Sequence, residues 1–239
     1  MGTLKEFQKA YGKGGRVSEA RPSGFAGQDE EGAVEASPSV LPDISASDRE
    51  IGKSRKPLAL TKDDIFHYVY GVLHDPEYRE KYALNLKREF PRIPFYPDFF
   101  RWVEWGKRLM ELHISYESVE PWPLERLDTP DENVRVTGMV PKTILKADRD
   151  NGIIRLDTET QLSGIPKEPW EYRLGNRSGL EWILDQYKEK KPKDPTIREK
   201  FNTYRFADYK EKVVDLLMRV TRVSVETIAM KEAMKGARR

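Results

Sequence analysis

Few residues in this chain are of types that do chemistry. Cysteine is absent, which excludes disulfides, thiolate metal sites and a cysteine nucleophile and makes a reducing, cytoplasmic setting the default. The only histidines, His67, His74 and His113, stand among aromatic and aliphatic residues at helical spacing, where a histidine is better suited to packing and hydrogen bonding than to holding a metal. Gly52-Lys53-Ser54 looks like the end of a phosphate-binding loop, yet the signature requires glycine where Ser47 stands and a hydrophobic strand before it. Glu189-Lys190-Lys191 is the nearest fragment of a metal-dependent nuclease site, and its candidate partner Asp131 is 58 positions away. A base methyltransferase needs a glycine-rich turn after its first strand and an Asn/Asp-Pro-Pro-aromatic loop. Gly12-Lys-Gly-Gly15 follows no strand, and Glu120-Pro-Trp-Pro123 has the wrong residue at the amine-binding position. No catalytic constellation, metal or cofactor is expected.

Binding chemistry has a better foothold in Trp170-Glu-Tyr-Arg-Leu-Gly-Asn-Arg-Ser-Gly-Leu-Glu-Trp-Ile-Leu-Asp-Gln-Tyr187. Gly175-Asn176 supplies the residue types that tolerate positive φ, and Ser178 followed by Glu181 is a capping-box pattern, so a helix should begin at Ser178. Leu180, Ile183, Leu184 and Tyr187 fall on one face of it. Arg173 and Arg177 beside that helix start have two readings. They hold a phosphate or carboxylate, or they are solvated and paired with local acids, and residue types alone favour the second.

The elements that must position these residues come from a chain of 239 residues, long enough for one sizeable core or two small ones. Its 42 basic and 40 acidic residues leave a net charge of +2, so an anion-binding surface must arise from local segregation of charge. No apolar run approaches the roughly twenty residues of a membrane helix, and the first thirty residues lack the apolar centre of a signal peptide. Residues 1–56 are rich in small, polar and acidic residues, which predicts a disordered N-terminal tail ahead of a folded body over residues 57–239.

Within that body, Thr61 to Asp64 predicts a helix start followed by Ile65, Phe66, Val69, Val72 and Leu73 on one face. Asp75-Pro76 opens a second helix with Tyr78, Tyr82 and Leu86 every four residues. Pro91-Arg-Ile-Pro94 is extended. A third helix starts near Asp98, with Gly106 in its middle admitting another backbone. The period then changes. Val134 and Val136 alternate with polar neighbours, Lys142 to Ala147 reads as a strand, and Asp148-Arg-Asp-Asn-Gly152 reads as a turn. Ile154, Leu156, Thr158, Thr160 and Leu162 form the clearest alternation in the chain. Asp194-Pro-Thr196 restarts the chain after a charged linker over residues 188–193. Helix returns from about Ala207 with Val213, Leu216, Leu217 and Val220 inward, and Ser224 caps a last helix. The expected fold class is α+β, a helical bundle packed with a small antiparallel sheet.

Taken together, Tyr68-Val-Tyr-Gly-Val-Leu-His-Asp-Pro-Glu-Tyr-Arg-Glu-Lys-Tyr82, Phe90-Pro-Arg-Ile-Pro94 and Tyr172-Arg-Leu-Gly-Asn-Arg-Ser-Gly-Leu-Glu-Trp-Ile-Leu-Asp-Gln-Tyr187 resemble, in order and spacing, the C-terminal specificity domain of type ISP restriction-modification enzymes. The stretch from Asp194 through Met234 fits the end of the same domain, so the resemblance covers about residues 57–239. It implies a non-catalytic target-recognition domain that reads double-stranded DNA for an adenine methyltransferase and, in the full enzyme, for a helicase-driven nuclease. Those catalytic modules precede this domain in the family, so a methyltransferase/helicase-nuclease polypeptide is the expected partner. The alternatives are a split subunit that completes the methyltransferase in trans and a remnant that acts as a protein-interaction domain. Such a domain needs cations on phosphates and hydrogen-bonding side chains at base edges. Lys87, Arg88 and Arg92 form one basic end, Arg173, Asn176, Arg177 and Ser178 a second, and Asn202, Tyr204 and Arg205 a third. Some of these are expected to meet DNA.

Overall fold

A computed structural model describes residues 3–11, 60–189, 194–196 and 204–239. It has the expected α+β architecture, with a four-stranded antiparallel sheet between helices earlier and later in the chain. Thr61 opens the body through a reciprocal cap: its hydroxyl accepts from the Asp64 N–H, and the Asp64 carboxylate accepts from the Thr61 N–H. Helix α2 follows over Lys62–His74. The Asp75 carboxylate accepts from the Glu77 N–H and starts α3, Pro76–Lys81, with proline where the missing donor does no harm. The periodicity predicts that this helix runs on through Leu86. Instead it ends at Lys81, Asn85–Lys87 make one 3₁₀ turn, and Tyr82 is exposed. The Tyr78 hydroxyl donates to the Arg92 carbonyl at 3.0 Å, so the proline-containing segment folds back beside α3.

Helix α4, Phe99–Ile114, packs on α2 where Gly71 and Gly106 oppose each other. A Cβ on Gly71 would lie 2.6 Å from the Trp102 carbonyl oxygen, and one on Gly106 would overlap the His67 carbonyl. The close approach expected at Gly106 is present, and it sets the contact line. Helix α2 therefore buries Ile65, Tyr68, Gly71 and Val72 and leaves Phe66 in solvent, unlike the expected face. Within the stretch read as a tail, Thr3–Tyr11 forms helix α1. Phe7 and Tyr11, four residues apart, insert against Tyr68, Phe95 and Phe99, and the Tyr11 hydroxyl donates to that of Tyr68 at 2.8 Å. Two aromatics on one helical face suffice to dock a short helix on an existing core. The remainder of the predicted tail lies outside the described residues.

The sheet consists of β1 (Glu125–Asp128), β2 (Thr143–Asp148), β3 (Ile153–Asp157) and β4 (Thr160–Ser163), in the order β1-β4-β3-β2. The long alternation through Leu162 is a hairpin and not one strand, with Ile154 opposite Leu162. The Asp157 carboxylate accepts from the Glu159 and Thr160 N–H groups at 2.9 and 2.7 Å and bends the chain. This turn keeps the alternation in phase, so a period of two does not reveal it. Val134 and Val136 belong to a short helix, α5 (Glu132–Thr137), and not to a strand. Asp131 caps it by accepting from the Asn133 N–H, and Gly138 ends it at φ 65°. Three alternating residues are too few to separate the two periods.

After α6 (Glu168–Glu171) and the short elements described below, α8 runs unbroken over Lys210–Lys235. The break expected at Ser224 is absent. Its hydroxyl donates to the Val220 carbonyl, as that of Thr221 does to Leu217, and both are thereby accommodated inside the helix. At about 1.5 Å per residue this helix spans about 39 Å and joins two cores. Val213, Val214 and Leu217 pack with the sheet, while Val223, Met230 and Met234 pack with α2 and α4.

Candidate nucleic-acid interface

The second basic cluster sits on a small, locally determined frame. Gly175 at φ 74° and Asn176 turn the chain between β5 (Arg173–Leu174) and β6 (Arg177–Ser178). Ser178 then caps α7, Gly179–Gln186: its hydroxyl accepts from the Glu181 N–H, and the Glu181 carboxylate accepts from the Ser178 N–H at 2.9 Å. Leu180, Ile183 and Leu184 are buried beneath it, as the spacing predicts. Ser178 is itself buried and its hydroxyl is committed to Glu181, so it aims the helix and presents nothing at the surface. Burial opposes the charge on Glu181, but bonds from Ser178 and Arg149 outweigh it and hold that carboxyl below the usual range.

The surface is built around α7 and the edge strand β2. Arg177 bonds Asp185 at 2.8 Å and lies over the Trp182 ring at 5.2 Å. Arg149 pairs with Glu181, and Lys188 reaches Asp185 at 3.4 Å. With Lys146 these cations line an open cleft of about 320 Å³ between β2 and α7. The bond from Arg177 holds the Asp185 carboxyl below its ordinary value, so the cleft carries alternating charges whose cations can exchange a local acid for a phosphate. Leu145 adopts φ 47° at an irregularity in β2, a backbone state uncommon for a branched side chain and one that re-aims the strand beside the cleft. Arg173 donates to the Asn176 carbonyl and Trp182 Nε1 to the Leu174 carbonyl, fixing the hairpin with Asn176 exposed at its tip.

The third cluster joins the second through α7. The Tyr204 hydroxyl donates to the Tyr187 carbonyl at 2.9 Å, and its ring stacks on Tyr209. Arg205 is exposed beside it, and Asn202 lies outside the described residues. The first cluster stands apart on the helical half. Lys87 and Arg88 are exposed on the 3₁₀ turn, and Arg92 approaches Glu89 at 3.9 Å over a shallow groove lined by Tyr78, Tyr82 and Phe90. Sequence reasoning missed Lys146, Arg149 and Lys188. The signal was partial: the first two lie on a predicted strand and turn, but only the fold shows that this edge faces α7, and Lys188 was read as solvated linker. Glu189 is structural, accepting from the Phe206 N–H at 2.9 Å. Among the described residues no cluster of acids and histidines suits a metal ion. Nor, among them, is any helix long and apolar enough to cross a membrane.

The chain belongs to the type ISP C-terminal specificity domain family, whose model matches residues 22–216. Among solved structures it is similar to DrdV in a cryo-EM DrdV–DNA complex, with 56% identity and a TM-score of 0.70 over 75% of this chain and 18% of that one. It is also similar to a nuclease-deletion mutant of the type ISP restriction-modification enzyme LlaGI in complex with a DNA substrate mimic, at 30% identity and a TM-score of 0.57 over 75% of this chain and 14% of that one. A third is the ATP-dependent type ISP enzyme LlaBIII bound to DNA, at 25% identity and a TM-score of 0.56 over 73% and 11%. The chain therefore spans less than a fifth of the length of each of these relatives. No curated protein matches it.

Proposed function

We propose that this chain is a DNA recognition module of a type ISP restriction-modification system, with the body from residue 57 as the recognising unit and bond-making steps left to a methyltransferase/helicase-nuclease polypeptide. The observation that carries this reading is the 56% identity to DrdV over three quarters of the chain, in a structure solved as a DNA complex. The cleft between β2 and α7 supports it, because Lys146, Arg149, Arg177 and Lys188 can neutralise phosphates and Asn176, exposed at the hairpin tip, can offer its amide to a base edge. Tyr204 and Arg205 extend the same surface along the end of α7, and Lys87, Arg88 and Arg92 make a separate contact on the helical half. Ser178 serves by holding α7 in place.

Fluorescence anisotropy with duplex DNA over a salt series tests the reading. If four cations of the cleft meet phosphates, log affinity should fall against log salt with a slope of about −3 to −4. Absence of binding at low salt, both alone and with a methyltransferase polypeptide, would reject it. The second reading is completion of a methyltransferase in trans, with this domain supplying the recognition. Adding the chain to a type ISP adenine methyltransferase polypeptide that lacks its own specificity domain should then produce site-specific adenine methylation, and no gain would reject that version.

A further inference from the structure

Two of the stretches that carry the family resemblance are ninety positions apart, from Tyr82 to Tyr172, yet they meet at one polar seam where α2, α3, α4, α6 and α8 converge. The first contributes Tyr70, His74 and Arg79, the second Tyr172. The Tyr70 hydroxyl is 2.8 Å from His113 Nδ1. His113 Nε2 lies 2.9 Å from Thr227 Oγ1 and 3.3 Å from the Tyr172 hydroxyl, so both ring nitrogens are occupied. His74 Nδ1 is 2.8 Å from the Tyr70 carbonyl and carries its hydrogen there, which leaves Nε2 with a free lone pair.

Two basic side chains, Arg79 and Lys231, act on this histidine. Lys231 is half-buried one turn beyond Thr227 on the same face of α8. The adjacent Glu232 is bonded to Lys235 at 2.7 Å, and Glu171 also acts on Lys231 with its negative charge. Arg79 gives one nitrogen to the Leu73 carbonyl at 3.3 Å, and among the described residues the rest of its fork meets no other partner. Burial and then Arg79 lower the pKa of Lys231; burial, Arg79 and Lys231 together lower that of His74 against its bond to Tyr70. Two basic side chains beside a histidine, one of them half-buried, favour an anion arriving from outside.

We propose that Arg79, Lys231 and His74 form a seat for a phosphodiester phosphate of the DNA backbone, aligned from behind by His113 and Tyr172. This deepens the DNA-recognition reading and rests on it. Phosphate contacts position a protein on the duplex and carry no base information. Arg79 supplies a planar fork and Lys231 a compact charge. His74 Nε2 takes up a proton as the phosphate docks and donates it in a hydrogen bond, so binding strengthens as pH falls through the range in which His74 titrates.

The test uses the full chain with Arg79→Gln, Lys231→Met and the double variant, each checked by thermal denaturation. Arg79→Lys serves as the conservative control. Each single loss should weaken DNA binding on the order of tenfold, equally on unrelated duplexes, and reduce the salt slope by about 1. Arg79→Lys should retain the slope. If the wild type binds DNA and folded variants keep its affinity and slope, the seat is refuted while the recognition reading stands. If the wild type binds no DNA, that reading fails, and inorganic phosphate decides the seat. Saturable movement of the His74 ring resonances with a raised His74 pKa, not reproduced by chloride at equal ionic strength, supports a phosphate site. Unmoved resonances overturn it.

Discussion

The two cores that share α8 are held together by different forces. On the helical side Tyr68, Phe99, Trp102 and Leu109 pack around a backbone-to-backbone contact at Gly71 and Gly106, and the polar groups within it are tyrosine hydroxyls, the His113–Thr227 contact and a buried Asp75 paired with Arg239 at 2.7 Å. Tyr68 receives a bond from Tyr11 and another from the Tyr96 N–H, and passes its own hydrogen to the Pro94 carbonyl. Burial pushes its pKa up to about 12. On the sheet side charge does much of the tying. Lys210 bonds Asp157 at 2.8 Å, and Arg126 bridges Asp128 and Glu211, so β1, the β3–β4 turn and the start of α8 are pinned to one another. The helical core is fixed chiefly by close packing of rings and backbone, and the sheet core is tied more by charge, with the cation-lined cleft on its side. Substitutions should therefore fail in different ways on the two sides.

The largest contrast is expected from one substitution made in both places. Gly106→Ala has no room, because the neighbour is the His67 backbone, and should destabilise by about 4 kcal/mol or prevent folding. Gly179→Ala on the sheet side meets only the Val220 side chain at 3.0 Å, which can turn, and should change stability by less than about 1 kcal/mol. Denaturant unfolding of both variants checks this, and equal effects would erase the distinction. Next in size is Asp157→Ala, which strands Lys210 and two backbone N–H groups and should remove about 3 kcal/mol. The same measurement in the presence of 1 M salt should show little recovery, since this pair is sequestered.

A smaller effect separates the cores by pH. Burial, and then the neighbouring His74, lower the His113 pKa to about 4, below the roughly 6.5 of an unfolded histidine. The unfolded chain thus binds the proton more readily. Stability is complete above about pH 6.5 and declines as pH falls toward 4, by about 2 kcal/mol once partial solvent screening is discounted. His113→Gln should flatten this part of a denaturation-against-pH curve. An unchanged slope would mean that the ring is freely solvated.

What could be read in the sequence follows the range of the forces involved. Caps and turns act over three or four residues, and Thr61/Asp64, Asp75-Pro76, Gly175-Asn176 and Ser178/Glu181 all stand where their types predict. Elements whose limits depend on distant partners were misread. The 3₁₀ turn after Lys81 depends on a segment folding back to Tyr78, whereas the β3–β4 turn at Asp157 and the continuity of α8 past Ser224 rest on bonds over two to four residues, at positions whose types fit either outcome. The site shows the same division. Arg177 was visible beside its capped helix, whereas Lys146 and Arg149 acquire meaning only because β2 faces α7. Phe7 and Tyr11 were overlooked because two aromatics in a polar stretch carry little compositional weight until a core exists to receive them.

The cleft yields the smallest change in stability and the sharpest separation of holding from presenting. Arg177 is partly exposed, and its pair with Asp185 and its contact with Trp182 should together contribute less than about 1 kcal/mol. Arg177→Ala should therefore unfold nearly as the wild type does. If the cleft meets DNA, the same variant should lose on the order of tenfold in affinity and about 1 in salt slope. Asp185→Asn sharpens the comparison, because it frees Arg177 from its local acid. A cation released in this way should bind DNA more tightly at low salt, whereas an arginine that only braces α7 against Asp185 would show a stability loss and no gain in binding. Opposite signs for the two variants in one anisotropy titration would assign Arg177 to the ligand and Asp185 to its restraint.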